Sequence, residues 1–433
     1  MSLSPDDFLQ PLDLDSTLRS EEERALSTFA GGSAGGVNAT ISDPLVVAIL
    51  TFFDGVGHVV RSCKVGAELA ARGHNVVVGC AEGAKQIVER FNLTHWPIHE
   101  VAPLPPEGHP PGRSRLSNPQ YLAACLDSEA RLLAAVRPAV VLVDFRVTGT
   151  VSSAAAGVPC AWLANLSFLH YPLSAIWPQI CQGFAEIGVA PPSRPFGEAL
   201  LVPSSAWLEP LDGVPAEVRQ WVTGVVSDVR FVGPIPSIDG SPGASDRRDA
   251  RRSEEYVYVT FGGLAAGSTI VQRLLPALAE LDMHVVVSMG PHTAASALSD
   301  VPPNVAIRPF DNNYPALIRN ASVVVHHGGH TTLIDAMYAG IPAICLPQHD
   351  EQRRNGRLLE ELGTGKVVEL DEVGSIAREI KNLLSDTVVR GNCEKVARLL
   401  SVERGAADAA DALERIARWR RVLAADRPSV SGV

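Results

Sequence analysis

Short, continuous runs of apolar, mostly β-branched residues recur along the chain and constrain its fold more than any other feature. A run that is apolar at every position is typical of a parallel strand buried on both faces. In a strand with one solvent-exposed face, apolar and polar residues alternate. Helical stretches separate the runs, and this alternation predicts parallel sheets with helices on both faces, an α/β fold. The runs occupy residues 45–50, 75–78, 139–143, 160–163, 256–260, 284–287, 305–308, 323–326 and 343–346.

A polar segment divides these strands into two groups. Residues 237–252 are rich in Ser, Gly, Asp and Arg and are typical of a linker. We therefore predict a flexible extension at 1–42, an amino-terminal domain at 43–236, a linker at 237–253, and a carboxy-terminal domain with a closing helix at 254–433. Ligands of parallel sheets bind beyond the carboxyl ends of the strands, so we expect the site in a cleft between the two domains.

Charge and hydropathy exclude several classes of function. The chain has 37 basic and 48 acidic residues, a net charge of −11, which argues against a nucleic-acid partner. No stretch reaches the ~18 apolar residues of a membrane span, and the first residues lack the pattern of a signal peptide. Seven cysteines without a CxxC spacing suggest reduced thiols and no zinc site. We expect a cytoplasmic protein.

The strand at 323–326 leads into a candidate anion site. It ends in His327-Gly328-Gly329, and a helix then begins near Thr331 and Thr332. Glycines allow backbone amides to approach an oxyanion, and a helix amino terminus offers unpaired N–H donors with a partial positive charge. The same residues would also suit a simple tight turn with a threonine cap.

The segment 305–365 as a whole resembles the donor-binding signature of family 1 nucleotide-sugar-dependent glycosyltransferases. A second motif, Pro347 to Asn355, follows the next strand at the same sheet edge. The resemblance implies the GT-B fold, in which two Rossmann-like parallel-sheet domains face a central cleft. The positions that agree in type and spacing are His327, Gly328, Gly329, Thr332, Asp335, Gly340, Pro342, Pro347, Gln352 and Asn355.

The resemblance also implies a role for each residue of the donor site. The imidazole of His327, the turn glycines and the amides near the two threonines hold the diphosphate, Asp335 contacts the ribose, and Glu351 with Gln352 contacts the sugar hydroxyls. Asp335 and Glu351 exchange the family's usual Glu and Asp, so the reach of each carboxylate changes by one methylene. The identity of the sugar therefore stays open.

Two further loops complete the predicted donor site. Gly262 and Gly263 follow the strand at 256–260, where the family has a phosphate-binding loop. Phe310 and Asn312 lie in the loop where the family reads the base, with Phe310 as the candidate stacking ring. A single aromatic residue at that point is equally consistent with core packing.

The loop after the first strand contains a candidate general base. Gly57-His58 resembles the family's amino-terminal signature, although Val59-Val60-Arg61 stands where a proline usually follows. The resemblance places Gly57 among the donor contacts. An imidazole suits proton abstraction because its ordinary pKa near 6.5 leaves it largely neutral at pH 7. Asp144, at the end of the strand 139–143, matches the carboxylate that orients this base. A local structural role for His58 and a capping role for Asp144 are the alternatives.

The acceptor pocket is the least specified part of the sequence. Phe168, His170 and Trp177 suit a ring-bearing small molecule, and they equally suit ordinary packing. The pair Asp13 and Asp15 forms a DxD pattern, but it lies in the polar tail and away from any strand end. We expect no metal and no cofactor, the nucleotide-sugar being a co-substrate.

These features together predict an inverting glycosyltransferase. It would move a sugar from a UDP- or dTDP-linked donor to a hydroxyl of a small-molecule acceptor, a natural product, and it could form a homodimer. Two alternatives stay open, an epimerase that acts on a free nucleotide-sugar and a catalytically silent nucleotide-sugar-binding partner. The acceptor itself is not specified by the sequence.

Overall fold

The computed structural model describes residues 43–52, 56–100, 115–169, 173–226, 228–238, 255–262, 267–290, 298–309 and 314–425. The predicted extension at 1–42 and nearly all of the predicted linker lie outside these residues. The described chain forms two compact units, one with a seven-stranded sheet and one with a six-stranded sheet.

The first unit is built on a seven-stranded parallel sheet of order β3-β2-β1-β4-β5-β6-β7. Its central strands are buried on both faces, as their uninterrupted apolar sequences require. The strands are β1 (Val46–Thr51), β2 (Asn75–Cys80), β3 (Thr94–Pro97), β4 (Val140–Asp144), β5 (Cys160–Leu163), β6 (Ala199–Val202) and β7 (Val229–Phe231).

The second unit repeats this plan with a six-stranded parallel sheet of order β10-β9-β8-β11-β12-β13. The predicted α/β fold class with two parallel sheets is therefore confirmed. The strands are β8 (Tyr256–Thr260), β9 (His284–Ser288), β10 (Val305–Arg308), β11 (Val323–His326), β12 (Ala343–Cys345) and β13 (Gly365–Val367).

Helices connect the strands in both units and cover the sheets. In the first unit they are α1 (Val56–Ala71), α2 (Lys85–Arg90), α3 (Pro119–Val136), α4 (Gly149–Ala155), α5 (Leu166–Phe168), α6 (Ser174–Glu186) and α7 (Ala216–Val225). The helices that follow along the chain are α8 (Gly267–Leu278), α9 (Tyr314–Asn320), α10 (His330–Tyr338), α11 (Asp350–Glu361), α12 (Ile376–Ser385) and α13 (Thr387–Ser401) of the second unit, and then α14 (Gly405–Ala425).

The strand order of each sheet reverses at one point, and that point positions the functional loops. In the first sheet β1 lies between β2 and β4, and in the second β8 lies between β9 and β11. Connections leave in opposite directions from such a point, which opens a crevice at the carboxyl ends of the two strands. Thr51 and Asp144 are register partners there, so the β1 loop and the end of β4 meet.

The closing helix corrects the predicted domain assignment. The chain from Arg404 onward clusters with the unit that ends at Ile235, not with the unit from Pro236 to Glu403. Small residues on one face of α14 allow the close approach, and Ala409, Leu413 and Ala417 are buried in the core of the first unit. A composition rich in Ala and Arg does not tell which sheet such a helix covers.

An ion-pair cluster fixes α14 to the end of α1. The guanidinium of Arg72 donates to Asp411 at 2.5 Å and to Glu414 at 3.1 Å. His74 accepts a hydrogen bond at Nδ1 from the Leu45 N–H, at 3.1 Å, and its Nε2 lies 3.2 Å from Glu414. His74 is therefore a structural histidine whose ring proton is on Nε2.

All seven cysteines are free thiols, and six of them are buried. Within the described ranges, no helix is both long enough and apolar enough to cross a membrane.

Candidate active site

The predicted base and its carboxylate meet at the carboxyl edge of the first sheet. His58 lies in the first turn of α1, and Asp144 is the last residue of β4. The His58 Nδ1 is 2.8 Å from the Asp144 Oδ1, with the carboxylate fully buried and the imidazole side chain 25% exposed. A carboxylate at this distance orients an imidazole and stabilises its proton on Nδ1.

Two residues that the sequence interpretation did not include complete this cluster. Arg61 is one helical turn beyond His58, and it donates through Nε to the Asp144 Oδ2 at 2.7 Å and through Nη2 to the Oδ1 at 2.5 Å. The Ser62 hydroxyl donates to the Oδ2 at 3.0 Å. The only signal in the sequence was the arginine where the family usually has a proline.

The Asp144 carboxyl is ionised under all ordinary conditions. Burial alone would raise its pKa, but the Arg61 charge, the His58 ring and the hydrogen bonds from both outweigh burial and lower that pKa to about 2. Asp144 is therefore a permanent acceptor and never a proton donor in the neutral pH range.

Aromatic rings form one wall beside the imidazole. The rings of His58 and Phe145 stack with centroids 5.1 Å apart and planes 18° apart, and Phe52 meets Phe145 edge-on at 5.2 Å. Phe145 has a φ of 57°, a left-handed conformation that is rare for a bulky residue and typical of functional sites. This turn directs the ring toward His58 immediately after Asp144.

The predicted anion site is a strand-to-helix turn on the second sheet. Strand β11 ends at His326, Gly329 precedes the first helical residue, and α10 begins at His330. The first intrahelical backbone bond runs from the Leu333 N–H to the Gly329 carbonyl. The amides of Thr331 and Thr332 precede that bond in the first turn, so they have no acceptor within the helix and are suited to an anion.

Two hydrogen bonds hold this turn in shape. Gly328 has a φ of 91°, and its N–H donates to the His326 Nδ1 at 3.0 Å. The side chain of Asn355, fully buried on α11, donates to the Gly328 carbonyl at 2.8 Å. Asn355 was part of the family pattern but not of the predicted site, and it acts by fixing the turn.

His327 lies between two glycines of the predicted site. A methyl group at Gly329 would lie 2.5 Å from the His327 Nε2, so the ring leaves no room for a side chain there. One at Gly262 would lie 3.1 Å from the His327 Cε1, and the φ of 57° at Gly262 also favours glycine. Burial, with a smaller contribution from His349, lowers the pKa of His327 to about 4. The imidazole is therefore neutral at pH 7 and supplies no charge. Its one N–H, which has the Thr260 backbone as a hydrogen-bond partner here, is the only donor that it could offer to a ligand.

Buried polar atoms around the turn have no hydrogen-bond partner among the described residues. They are the Nε2 of His326, the Nδ1 of His327, the Nε2 of Gln348 and the Oδ1 of Asn355. Buried polar groups are nearly always paired, and an exception at a glycine turn and helix amino terminus indicates a ligand site.

The structure corrects the role predicted for Asp335. Its side chain is fully buried, and its two carboxylate oxygens accept hydrogen bonds from the backbone N–H of Ser237, at 2.6 Å, and from the Ser237 hydroxyl. A carboxylate enclosed in this way cannot reach a ribose. The shorter side chain of Asp335, compared with the family's Glu, instead ties helix α10 to the chain that leaves β7.

The two predicted sugar contacts lie in the first turn of α11. Glu351 is half-buried, and its Oε1 is 3.4 Å from the Asn355 Nδ2. Gln352 is only 3% exposed, and its Oε1 accepts from the Gln348 N–H at 2.9 Å. The Gln352 carboxamide oxygen thus closes the loop between β12 and α11, which does not agree with a contact to sugar hydroxyls.

The remaining residues predicted for the acceptor and donor sites give little information on either ligand. Trp177, on α6, is half-buried and tilts against Trp221 with ring centroids 6.0 Å apart, the arrangement of a packing residue. Gly57 lies in the first turn of α1 beside His58. Gly263, Phe310, Asn312, His170 and the side chain of Phe168 lie outside the described residues.

No group of three or more His, Cys, Asp or Glu side chains is close enough to hold a metal ion within the part of the chain that the structure describes.

Comparison with known proteins supports the resemblance found in the sequence. Residues 272–414 match the family described as erythromycin biosynthesis protein CIII-like, C-terminal domain. A glycosyltransferase of PGL/p-HBAD biosynthesis from Mycobacterium tuberculosis is 25% identical over 418 residues, which cover 87% of this chain and 95% of that protein.

Solved structures share the same architecture. The glycosyltransferase SnogD from Streptomyces nogalater superimposes with a TM-score of 0.63 at 23% identity and covers 87% of this chain and 100% of its own. The glycosyltransferase VinC in complex with dTDP gives a TM-score of 0.62 at 16% identity, with 87% and 100% covered. The resemblance found in the sequence is thus confirmed: the fold is GT-B, and the chain is a glycosyltransferase.

Proposed function

We propose that this enzyme is an inverting glycosyltransferase that moves a sugar from a UDP- or dTDP-linked donor to a hydroxyl group of a small-molecule natural product. The observation that carries the proposal is the His58–Asp144 pair at the carboxyl edge of the first sheet, 2.8 Å apart. The dTDP complex of VinC supports a nucleotide donor, and the match to an erythromycin biosynthesis family supports a natural-product acceptor.

His58 acts as the general base in this proposal. With its Nδ1–H donated to Asp144, the imidazole has its lone pair on Nε2, which takes the proton of the acceptor hydroxyl. The acceptor oxygen then forms a bond to the anomeric carbon from the face opposite the diphosphate. The bond from that carbon to the diphosphate oxygen breaks, and the sugar leaves with inverted configuration.

The turn at Gly328 and the start of α10 stabilise the leaving group. The departing nucleoside diphosphate gains negative charge on the oxygen that was bonded to the sugar. Backbone amides of Thr331 and Thr332 and the neutral imidazole of His327 are donors suited to this charge, and the helix dipole has the favourable sign.

A product screen tests the proposal directly. The protein is incubated with UDP- and dTDP-sugars, with and without a panel of hydroxylated small molecules, and the products are identified by mass spectrometry. Glycosylated acceptor supports the proposal. Conversion of the nucleotide-sugar without any acceptor would instead identify an epimerase, and tight nucleotide-sugar binding without conversion under all conditions would identify a silent partner.

We expect glycosyl transfer to continue in EDTA. The charge of the leaving diphosphate is met here by backbone amides, a neutral imidazole and a helix terminus, which need no divalent cation. The measurement compares initial rates of chelated enzyme with and without added Mg²⁺ or Mn²⁺. A rate that falls to background in EDTA and returns with the metal would show that these donors do not suffice.

Glu351→Ala should lower the affinity for the intact nucleotide-sugar about tenfold, since a lost hydrogen bond to a carboxylate costs ~1–3 kcal/mol. The affinity for the free nucleoside diphosphate should stay nearly unchanged. The reason is that Glu351 is half-buried beside Asn355, next to the predicted diphosphate turn. Titration calorimetry with both ligands measures the two affinities.

Asp350→Ala is the matched control, because it removes the same charge from the neighbouring, exposed position. Equal losses for both ligands, or the same loss in the Asp350 variant, would remove Glu351 from the sugar site.

A further inference from the structure

Arg61 is a buried cation in direct contact with the proposed base and its carboxylate. It lies three residues after His58 on the same helix, which places the two side chains on one face of α1. The residue is only 3% exposed. A fully charged side chain is almost never buried without a partner, so the partners of Arg61 indicate why it is there.

The contacts of Arg61 form a closed triangle with His58 and Asp144. Its Nη2 is 2.5 Å from the Asp144 Oδ1 and 3.0 Å from the His58 Nδ1, while the His58 Nδ1 is 2.8 Å from the same Oδ1. The Arg61 Nε holds the second carboxylate oxygen at 2.7 Å. The carbonyl of Leu163, at the end of β5, is 3.5 Å from Nη2.

This triangle offers the His58 Nδ1 two mutually exclusive hydrogen bonds. A protonated Nδ1 donates to Asp144 and leaves the ring lone pair on Nε2. An unprotonated Nδ1 accepts from Arg61 and puts the ring proton on Nε2, which then cannot act as a base. The first arrangement is favoured because Asp144 is a charged acceptor and still keeps both hydrogen bonds from Arg61.

The triangle also sets the charge around the imidazole. A buried carboxylate alone would stabilise the imidazolium and hold His58 protonated, whereas a cation at 3.0 Å opposes protonation. Asp144 from β4, Arg61 from α1 and the uncharged ring of Phe145 all face His58. The carboxylate and the guanidinium sum to zero charge.

We propose that Arg61 is a positioning residue that fixes the Asp144 carboxylate and offsets its charge, so that His58 stays uncharged and ready to accept a proton. This inference rests on the proposed function of His58 as the base. It assigns to this chain a neutral triad in place of a simple carboxylate–histidine pair.

Nitrogen NMR of the full-length protein with ¹⁵N-labelled histidine tests the proposal without any substrate. The His58 signals are identified by their loss in His58→Gln. We expect the neutral ring of His58 to carry its proton on Nδ1 and to titrate no higher than the ordinary value of ~6.5. His74 is an internal reference of the opposite tautomer, because its Nδ1 accepts from the Leu45 N–H.

Two substitutions separate charge from shape. Arg61→Gln should raise the His58 pKa by ~1–3 units, the range expected when a charge at this distance changes, and Arg61→Lys should leave it within ~0.5 units. Arg72→Gln removes an ion-paired arginine at the far end of the same helix and should not shift it.

A protonated Nε2 in the neutral wild-type ring, a wild-type pKa well above ~6.5, or an unshifted pKa in Arg61→Gln would each overturn the inference. The wild-type measurement decides the matter even where the Arg61→Gln chain does not fold. Failure of the proposed function is separate, since it would appear as full glycosyl transfer by His58→Ala.

Discussion

Replacing His58 by alanine is expected to lower kcat by ~100-fold or more, the loss typical of a missing general base. Alanine cannot take the proton of the acceptor hydroxyl, so the oxygen that attacks the anomeric carbon stays a weak nucleophile. The affinity for the free nucleoside diphosphate should not change, because the predicted diphosphate turn at Gly328 lies on the other sheet. Steady-state kinetics and calorimetry on the same preparation measure both quantities.

His284→Ala is the matched control. His284 is exposed at the first residue of β9, at the opposite end of its strand from the binding loops. Its removal should leave kcat unchanged. A normal kcat in His58→Ala would show that another group removes the proton or that no proton is removed in the slow step.

Substituting Gly328 by alanine should disrupt the predicted diphosphate turn and destabilise the protein. We expect a loss of roughly 2–4 kcal/mol in the free energy of unfolding, the combined cost of a left-handed backbone conformation and a collision with the backbone. The φ of 91° is unfavourable for alanine, and its methyl group would lie 2.5 Å from the Gln352 carbonyl oxygen and 2.7 Å from the Cys345 sulfur. Because the carbonyl belongs to the backbone, the collision cannot be relieved by a side-chain rotation.

We also expect Gly328→Ala to weaken nucleoside diphosphate binding at least tenfold, since it would displace the amides that we propose as phosphate donors. Gly391→Ala is the control, because Gly391 lies within helix α13 and an added methyl group there meets no atom within 4 Å. That variant should bind normally and gain up to about 1 kcal/mol of stability from helix propensity. Urea unfolding and calorimetry compare the pair, and equal behaviour of the two variants would contradict this view of the turn.

Most of the fold was accessible from the sequence because the central strands are apolar at every position. The runs at Cys160–Leu163, Tyr256–Thr260 and Val323–His326 agree with the observed strands to the residue. The strands that were not predicted are short or lie toward sheet edges. Residues 94–97 read Thr-His-Trp-Pro, and a four-residue apolar run such as β6 cannot be told from a helix segment by periodicity.

The site residues were predictable where a sequence motif and the sheet topology place them together. They were not predictable where the contact partner of a side chain depends on the path of a distant segment. His58 and Asp144 follow neighbouring parallel strands, so sheet geometry brings them together. Nothing in the sequence indicates that Asp335 faces Ser237, because that contact spans 98 positions and depends on the path of the chain after β7. Arg61 was visible as a departure from the family pattern, but its contacts required the structure.

The return of helix α14 to the first unit has a consequence for anyone who exchanges halves between enzymes of this kind. A chimera joined once, within residues 239–254, would carry a foreign helix onto the first sheet and would lose the match between Arg72 and its two acidic partners. A second conflict would arise if the foreign helix had any residue other than glycine at position 405, since a Cβ there would lie 2.0 Å from the Pro234 carbonyl oxygen. A successful graft therefore needs two junctions, the second near Arg404, so that the closing helix travels with the first unit.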